Sequence, residues 1–425
     1  MVNQDSLPEI STDVKVTIGI DEFSIVLKPI QKVNILEWFM HAENIIDEFL
    51  NLSKIREVFG ELEPTNSNLV QGYKIGYLLT NRPFYLCLCY HDEFESMGVC
   101  CKFSATAYAR FKEEYFIKYG QKMNLRKFLL LIESNKYTNQ ISRIDIAVDY
   151  FNFPCFARLN QYLCPNTIYD CLIKKQIKVV NHKNNSNIRT FSSINKDGIH
   201  ETVYIGSRKG NTRTFLRIYD KKNEQIEKAG IYQKIAQENA SWTRFEGVFK
   251  GIYAHQIGEM IAEKGMIQTD QELCCFLAGK IVDKYVFRCS ATDELLNFSE
   301  LLIDIATGKE FPSLECTSPR DNSLFQSLRY IIKNSGLLIT LAKAHFIYPC
   351  QNAEEKILEW IYMMFEEYYL EKIEKNEKHE VYKWLKKHRE EIAKEKLEDI
   401  LESVQTDILL DEEWTKKVIS STPRI

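Results

Sequence analysis

The sequence predicts an α+β fold: antiparallel sheets with helices packed on one face, followed by a helical C-terminal region. Three observations carry this. An order of elements, β-α-β-β-β-α, can be read over the first third and again over the middle third. The strands alternate apolar and polar residues, as half-buried antiparallel strands do. From about residue 290 the apolar residues take helical spacing instead. The expected divisions are an N-terminal α+β domain over 1–135, a second α+β domain over 136–290 and a helical region over 291–425.

In the first third, DEFSIVLKP reads as a strand and NILEWFMHAENIIDEFLNL as a helix. YKIGYLL, FYLCLCYH and GVCCKFS are three more strands, and ATAYARFKEEYF is a helix. In the middle third, RIDIAVDYF is a strand and TIYDCLIKKQ a helix. VYIGS, TFLRIYDKK and TRFEGVFKG are strands, and HQIGEMIAEKG is a helix. The two halves share an order of elements but not residues, so any repeat is one of topology. Residues 183–198, KNNSNIRTFSSINKDG, are polar and turn-rich and read as a loop or long hairpin connection. Beyond 290, EEKILEWIYMMFEEYYLEKIEK sets Ile357, Ile361, Phe365 and Tyr368 near one helix face. VYKWLKKHREEIAKEKLEDILESV reads as a highly charged helix with a solvated face.

Composition narrows the function. The chain has 425 residues and a net charge of −4, which argues against a wholesale coat of positive charge for nucleic acid. The charge is uneven, however. Residues 171–222 carry twelve Lys and Arg against three acids, a balance of +9, and residues 351–425 have a balance of −6. A phosphate-binding surface is therefore expected to be local. No window approaches the roughly 20 apolar residues of a membrane span, and the start lacks a signal-peptide pattern. The twelve cysteines form no C-x-x-C pair and mostly lie in apolar runs. They read as buried hydrophobes in a reducing cytosol.

Several devices are missing. There is no P-loop, no G-x-G-x-x-G opening a helix and no G-x-S-x-G elbow. The eight histidines form neither H-x-H nor H-E-x-x-H, which excludes a paired-histidine nuclease. Three strands stand out instead. In ISRIDIAVDY, alternation puts Arg143, Asp145, Ala147 and Asp149 on one face. In FLRIYDKK it puts Arg217, Tyr219 and Lys221 on one face, and in WTRFEGVF it does the same for Trp242, Arg244 and Glu246. A charged outer face is ordinary for any single antiparallel strand. Three strands that pair in one sheet would bring three carboxylates, three arginines and a tyrosine together.

That group suits phosphoryl chemistry. Asp145, Asp149 and Glu246 offer the hard oxygen ligands that Mg²⁺ or Mn²⁺ prefers, and Tyr219 is a candidate nucleophile. Flanking cations are expected to favour its phenolate, since a charge at about 4 Å is worth on the order of 4 kcal/mol at an effective dielectric of 20. Tyr204, on a strand and near Arg208, is the rival tyrosine.

At these residues the sequence resembles the replication initiation factors of Gram-positive rolling-circle plasmids and the related relaxases of conjugative elements. Arg143-Ile-Asp-Ile-Ala-Val-Asp149 is similar to that family's R-[IL]-D-x-A-x-D strand, and Arg217-Ile-Tyr-Asp-Lys-Lys222 to its R-[IL]-Y-[ND]-K-K segment. Tyr204-Ile-Gly-Ser-Arg208 and Trp242-Thr-Arg-Phe-Glu246 match two further elements in the same order, over about 143–250. Upstream, Ser104 stands where the family has Ser-Gly-x-Gly, with both glycines absent.

The resemblance implies that Tyr219 is the nucleophile, with acids in place of paired histidines holding Mg²⁺ or Mn²⁺. It implies a cytoplasmic bacterial enzyme that cuts one strand at a replication or transfer origin and forms a 5′-phosphotyrosine. Arg217 and Lys221 would assist. Arg143, Arg208, Lys209, Arg213, Lys222 and Arg244 would hold origin DNA, single-stranded or extruded as a hairpin. The helical region is expected to carry element-specific DNA contacts, a homodimer surface or a surface for a host helicase. The alternatives are a metal-dependent nuclease that uses water and a non-catalytic origin-binding protein.

Overall fold

The structure is a computed structural model, and it describes residues 11–409 apart from 32–33, 159, 183–185, 210–211, 310, 313, 315–323, 334, 376–380, 383 and 386–395. Its compact units are 1–315 and 316–425.

The first unit is built on one sheet of ten strands, all paired antiparallel. A long first strand β1 (Lys15–Pro29) is followed by helices α1 (Trp38–Ser53) and α2 (Ile55–Phe59). The chain then enters the sheet at its far edge and returns strand by strand: β2 (Glu63–Thr65), β3 (Ile75–Leu78), β4 (Leu86–Tyr90) and β5 (Val99–Phe103), which pairs with β1. Helices α3 (Ala105–Tyr119) and α4 (Leu125–Leu131) close this half.

The second half repeats the path. It has β6 (Tyr137–Phe151), α5 (Pro165–Ile173), β7 (Ile177–Asn181), β8 (Ser186–Asn187), β9 (Phe191–Lys196), β10 (Ile199–Ile205) and β11 (Thr214–Asp220). The short helices α6 (Lys221–Glu227) and α7 (Gln233–Glu238) precede β12 (Trp242–Lys250), which pairs with β6. Helices α8 (Ile252–Ala262) and α9 (Asp270–Val282), strand β13 (Val286–Cys289) and helix α10 (Asn297–Ala306) follow. The sheet order is β2-β3-β4-β5-β1-β6-β12-β11-β10-β9.

The repeated topology is therefore present, but the two halves do not form separate sheets. β1 and β6 pair over thirteen positions and fuse them. The boundary expected near 135 falls between α4 and β6, inside one sheet with one continuous apolar core. Each half also has strands beyond those read from the sequence: β2 in the first, and β7, β8 and β9 in the second. β2 precedes YKIGYLL, and β9 lies within the stretch taken as a loop or hairpin connection. Of that stretch, 183–185 lie outside the described residues; the rest holds β8 and β9 and turns into β10 through Asp197 and Gly198, both at positive φ (52° and 83°). An Asp-Gly pair in that conformation is what a two-residue hairpin demands. Strands β13, β7 and β8 form a second, small sheet.

One face of the large sheet is packed by helices. Tyr150 of β6 and Phe245 of β12 meet edge to face at 5.0 Å, and Phe245 continues to Phe298 of α10 at 5.2 Å. In the other half Phe23, Phe103, Phe111 and Phe128 stack into one aromatic cluster. Ser104, in place of a glycine-bearing loop, caps α3 by accepting from the Ala107 amide at 3.3 Å. The eleven described cysteines are all free, and most are buried. No helix among the described residues is long and apolar enough to cross a membrane.

The second unit is helical, with α11 (Leu324–Lys333), α12 (Leu337–Ile347), α13 (Ala353–Met364), α14 (Glu371–Glu374) and a helix over Leu397–Leu409. Between α13 and α14, Phe365–Leu370 forms a π-helical turn. That turn shifts the 3.6-residue phase, and Ile361, Phe365 and Tyr368 are exposed rather than gathered on a core face. Of the charged helix expected over 381–404, residues 383 and 386–395 lie outside the described residues.

Candidate active site

The three singled-out strands are neighbours, in the order β6-β12-β11. Residues directly opposite each other share a face. Arg244 lies between Asp149 on β6 and Tyr219 on β11, and Glu246 lies between Ala147 and Arg217. Asp145 is opposite Val248, next along the same face. The apolar alternates Ile144, Ile146, Val148, Ile218 and Phe245 pack the helix side. Strand periodicity and the core thus force the acids, arginines and tyrosine onto the side away from the core.

They form two adjoining groups. In the first, the Tyr219 hydroxyl donates to Glu246 Oε2 at 3.1 Å, and Arg217 pairs with Oε1 of the same carboxylate. Arg143 forks onto Asp145, Nε to Oδ1 at 2.9 Å and Nη2 to Oδ2 at 2.7 Å. Asp145 and Glu246 are buried at 1% and 0% exposure, while the side chains of Arg143 and Arg217 remain about a third exposed (32% and 35%). The acids are the floor, and the arginines form the layer that reaches solvent. Burial, and after it the neighbouring Glu246 charge, push Asp145 up to about 7 against the opposing pull of Arg143.

A third acid belongs here that the sequence reading did not select. β1 has a bulge between Ile20 and Phe23, two residues against one on β6 (between Ile146 and Ile144). The bulge holds Asp21 and Glu22 opposite Asp145. Glu22 Oε1 lies 3.3 Å from Arg143 Nη1 and 3.2 Å from Lys102 Nζ. Neither contact has hydrogen-bond geometry, so this buried oxygen has no hydrogen-bond partner; Arg217 Nε is a buried donor in the same condition.

The second group is closed. Arg244 forks onto Asp149, Nε to Oδ1 at 2.7 Å and Nη2 to Oδ2 at 2.8 Å. Its Nη1 donates to Asp21 Oδ1 at 2.6 Å, and the Trp242 indole N–H donates to Asp149 Oδ1 at 2.7 Å. Both Asp149 oxygens are committed. Arg244 is itself buried and binds acids rather than facing outward. The structure thus separates Asp149 and Arg244 from the Asp145–Glu246 group.

The remaining candidates are spread out. Lys221 does not continue the alternation of β11: the strand ends at Asp220, and Lys221 opens α6. Its Nζ pairs with Glu224 at 2.5 Å and lies 5.6 Å from the centre of the Tyr219 ring. Lys222 Nζ donates to the carbonyls of Asn239 and Ala240 at 2.8 and 3.1 Å, holding the entry to β12. The Arg208 guanidinium covers the Tyr204 ring at 4.1 Å. Lys209 is exposed, and Arg213 lies just before β11.

The expected easing of Tyr219 towards phenolate is reversed in this state. Burial, and secondarily the Glu246 carboxylate, hold its hydroxyl well above its ordinary value, with Arg244 pulling the other way. The flanking cations are spent on Glu246 and Glu224.

Asp145, Glu246 and Glu22 are donors of the type a divalent cation takes, although as they stand their ligand atoms do not all come within 4.8 Å of one another. They are hard oxygen donors, two of them buried and mutually repelling, and the third has an unsatisfied oxygen. His91, Asp92 and Glu93 also bring ligand atoms within 4.8 Å of one another. That group follows β4, four strands or about 19 Å from β12, and Lys74 pairs with both of its acids at 3.5 and 3.3 Å.

These features describe a protein with an acid–arginine–tyrosine site on the open face of a central antiparallel sheet. Residues 139–284, from β6 to α9, match the replication initiation factor family, a span of about a third of the chain. The match covers all three site strands and bears out the resemblance seen in their motifs. A solved structure of a rolling circle replication initiator protein from Geobacillus stearothermophilus aligns with a TM-score of 0.44 and 18% identity, over 69% of this chain and 97% of that one. No curated protein matches.

Proposed function

We propose that this protein is a site-specific DNA nicking and joining initiator or relaxase that attacks one strand at a replication or transfer origin through Tyr219. The observation that carries the reading is the hydrogen bond from the Tyr219 hydroxyl to Glu246 Oε2, inside the segment that matches replication initiation factors. Glu246 would take the proton as the Tyr219 oxygen bonds to phosphorus, a reading their hydrogen bond supports. The bond from phosphorus to the 3′ oxygen breaks, leaving a 5′-phosphotyrosine and, once that oxygen takes a proton from water, a 3′-hydroxyl able to prime synthesis. Reversal reseals the strand, because the phosphate ester is exchanged rather than hydrolysed.

Asp145 and Glu246, with Glu22 from β1, would hold Mg²⁺ or Mn²⁺. Bound there, the ion supplies Lewis-acid polarisation of a phosphate oxygen. Asp149 is proposed as a positioning residue through Arg244 rather than as a ligand. Arg143 and Arg217 lie over the acids and are the first cations a phosphate would meet, and the free Arg217 Nε offers it a donor. Exposed Lys209, with Arg208 and Arg213 beside it, suits the DNA backbone. The exposed aromatic residues of the helical unit, Trp360 and Tyr362 among them, suit a second copy of the chain or a helicase.

Incubation with Mg²⁺ and single-stranded origin oligonucleotides, followed by denaturing electrophoresis, tests this reading. A denaturant-stable protein–DNA adduct is expected. Free 5′-phosphate product with no adduct would favour attack by water, and binding with no cleavage would favour a non-catalytic origin-binding protein.

A further inference from the structure

Next to the nucleophile, on the same face of the sheet, β1, β6, β12 and α7 enclose a pocket of about 260 Å³. It exists because two small residues face each other across β1 and β6. Gly19 is directly opposite Ala147, and a Cβ built on Gly19 would meet nothing within 4 Å. On its other side this part of β1 is unpaired among the described residues, since β5 pairs only with Phe23–Leu27. Lys112 of α3 reaches the pocket there.

The walls are aromatic. The Trp242 and Phe151 rings lie 4.8 Å apart, tilted by 31°, and Tyr232 meets Trp242 edge-on at 6.3 Å. Lys15 stands 5.9 Å over the Phe151 ring at one end, and Lys112 lies at the other. The floor is rigid, because Asp149 and Arg244 have used their hydrogen-bonding groups on each other, on Trp242 and on Asp21. Asp21 gives only Oδ1 to Arg244; its Oδ2 makes no hydrogen bond among the described residues.

We propose that this pocket binds one nucleobase of the DNA strand, beside the phosphate that Tyr219 attacks, and prefers a base that carries an amino group. Its volume lies just under the usual range for small-molecule pockets and suits one planar ring system rather than a stacked pair. Of these three rings Tyr232 is partly exposed while Trp242 and Phe151 back it from below, and an exposed aromatic ring stacks any base. The open Asp21 oxygen accepts an amino hydrogen, as carboxylates do from cytosine N4, whereas thymine has no amino group. Lys15 and Lys112 suit the flanking phosphates. The spacing also fits: Arg244, which lines the pocket, is the residue opposite Tyr219, and one to two strand spacings are about 5–10 Å, the reach of a neighbouring nucleotide.

This inference rests on the proposed DNA-nicking reading, but its test does not require cleavage. Binding of fluorescently labelled dC20, dA20, dT20 and an abasic 20-mer is measured by anisotropy with the Tyr219→Phe protein. Tighter binding of dC20 and dA20 than of the abasic strand is expected, by about tenfold, the order of one base stacked on an aromatic ring; dT20 should fall between. Gly19→Leu fills the hollow from a backbone position without positive φ, and should bring dC20 and dA20 down to the abasic level while abasic binding stays unchanged. Tyr232→Ala, which removes one wall, should reduce the same difference, with thermal melting confirming that both variants are folded. Equal binding of abasic and base-bearing strands, or a preference untouched by Gly19→Leu, would overturn the pocket. An adduct formed without base preference would refute the pocket and leave nicking standing; base preference without any adduct would do the reverse.

Discussion

Glu246 holds two partners at once: Oε2 accepts from the Tyr219 hydroxyl at 3.1 Å while Oε1 is paired with Arg217. One buried carboxylate therefore both orients the candidate nucleophile and anchors the cation most exposed above it. In the state seen here burial, and after it the Glu246 carboxylate, hold the Tyr219 hydroxyl well above its ordinary value. Release of Arg217 to an incoming phosphate would free an oxygen of Glu246 and leave the hydroxyl aimed.

This arrangement predicts that Arg217→Ala slows nicking by about 10²–10³-fold, the usual loss for one electrostatic stabiliser of a developing charge. Arg217→Lys should recover only part of the rate, since a point charge replaces a fork. Single-turnover cleavage of an origin oligonucleotide measures both. A rate unchanged in Arg217→Ala would mean that the arginine serves only to neutralise Glu246.

Asp145 predicts a pH signature. Its folded value, pushed up to about 7, lies above the ordinary carboxylate value, so between about pH 4 and 7 the folded chain holds a proton that the unfolded chain has lost. Its contribution to stability is therefore present at low pH and is lost as pH rises through about 7. Other acids, such as Glu224 at about 2 through Lys221 and Lys228, slope the opposite way. The measurement is the difference in thermal stability between wild type and Asp145→Asn from pH 5 to 8 without metal: the variant should gain on wild type as pH rises. Added Mn²⁺ should then stabilise wild type and not the variant.

The closed group makes a different prediction. Arg244→Ala removes the guanidinium forked onto buried Asp149, and should cost about 3–5 kcal/mol of stability by denaturant titration. Asp149→Asn should also destabilise, while leaving Mn²⁺ affinity close to wild type. A large loss of Mn²⁺ affinity with stability intact would make Asp149 a ligand after all.

Much of this site was legible in the sequence because strand periodicity is simple. Alternation alone put Arg143, Asp145 and Asp149 on one face, and likewise Arg217 with Tyr219 and Arg244 with Glu246. The repeated order of elements was legible for the same reason. Most of what failed depended on long-range pairing. Glu22 sits in DEFSIVLKP, a strand the sequence does reveal, but its role arises from a bulge defined only by the register against β6. The division between Asp145 and Asp149 depends on which arginine each acid meets across the sheet. Lys221 was misplaced because Asp220 caps a helix, accepting from the Asn223 amide at 2.9 Å, and so ends the strand one residue before the alternation would reach it. The fusion of two expected sheets depends on the β1–β6 ladder, which no local pattern announces.

The most direct test of the central claim is to map the covalent link. Wild-type protein is incubated with Mg²⁺ and a single-stranded origin oligonucleotide, digested with protease, and the DNA-bearing peptide is identified by mass spectrometry beside the Tyr219→Phe variant. The account predicts a 5′-phosphotyrosine at Tyr219 and no adduct from the variant, which should remain folded because it loses one hydrogen bond to a charged group, worth about 1.5–3 kcal/mol, while Glu246 keeps Arg217. An adduct that persists in Tyr219→Phe, or a link mapped to Tyr204, would contradict it.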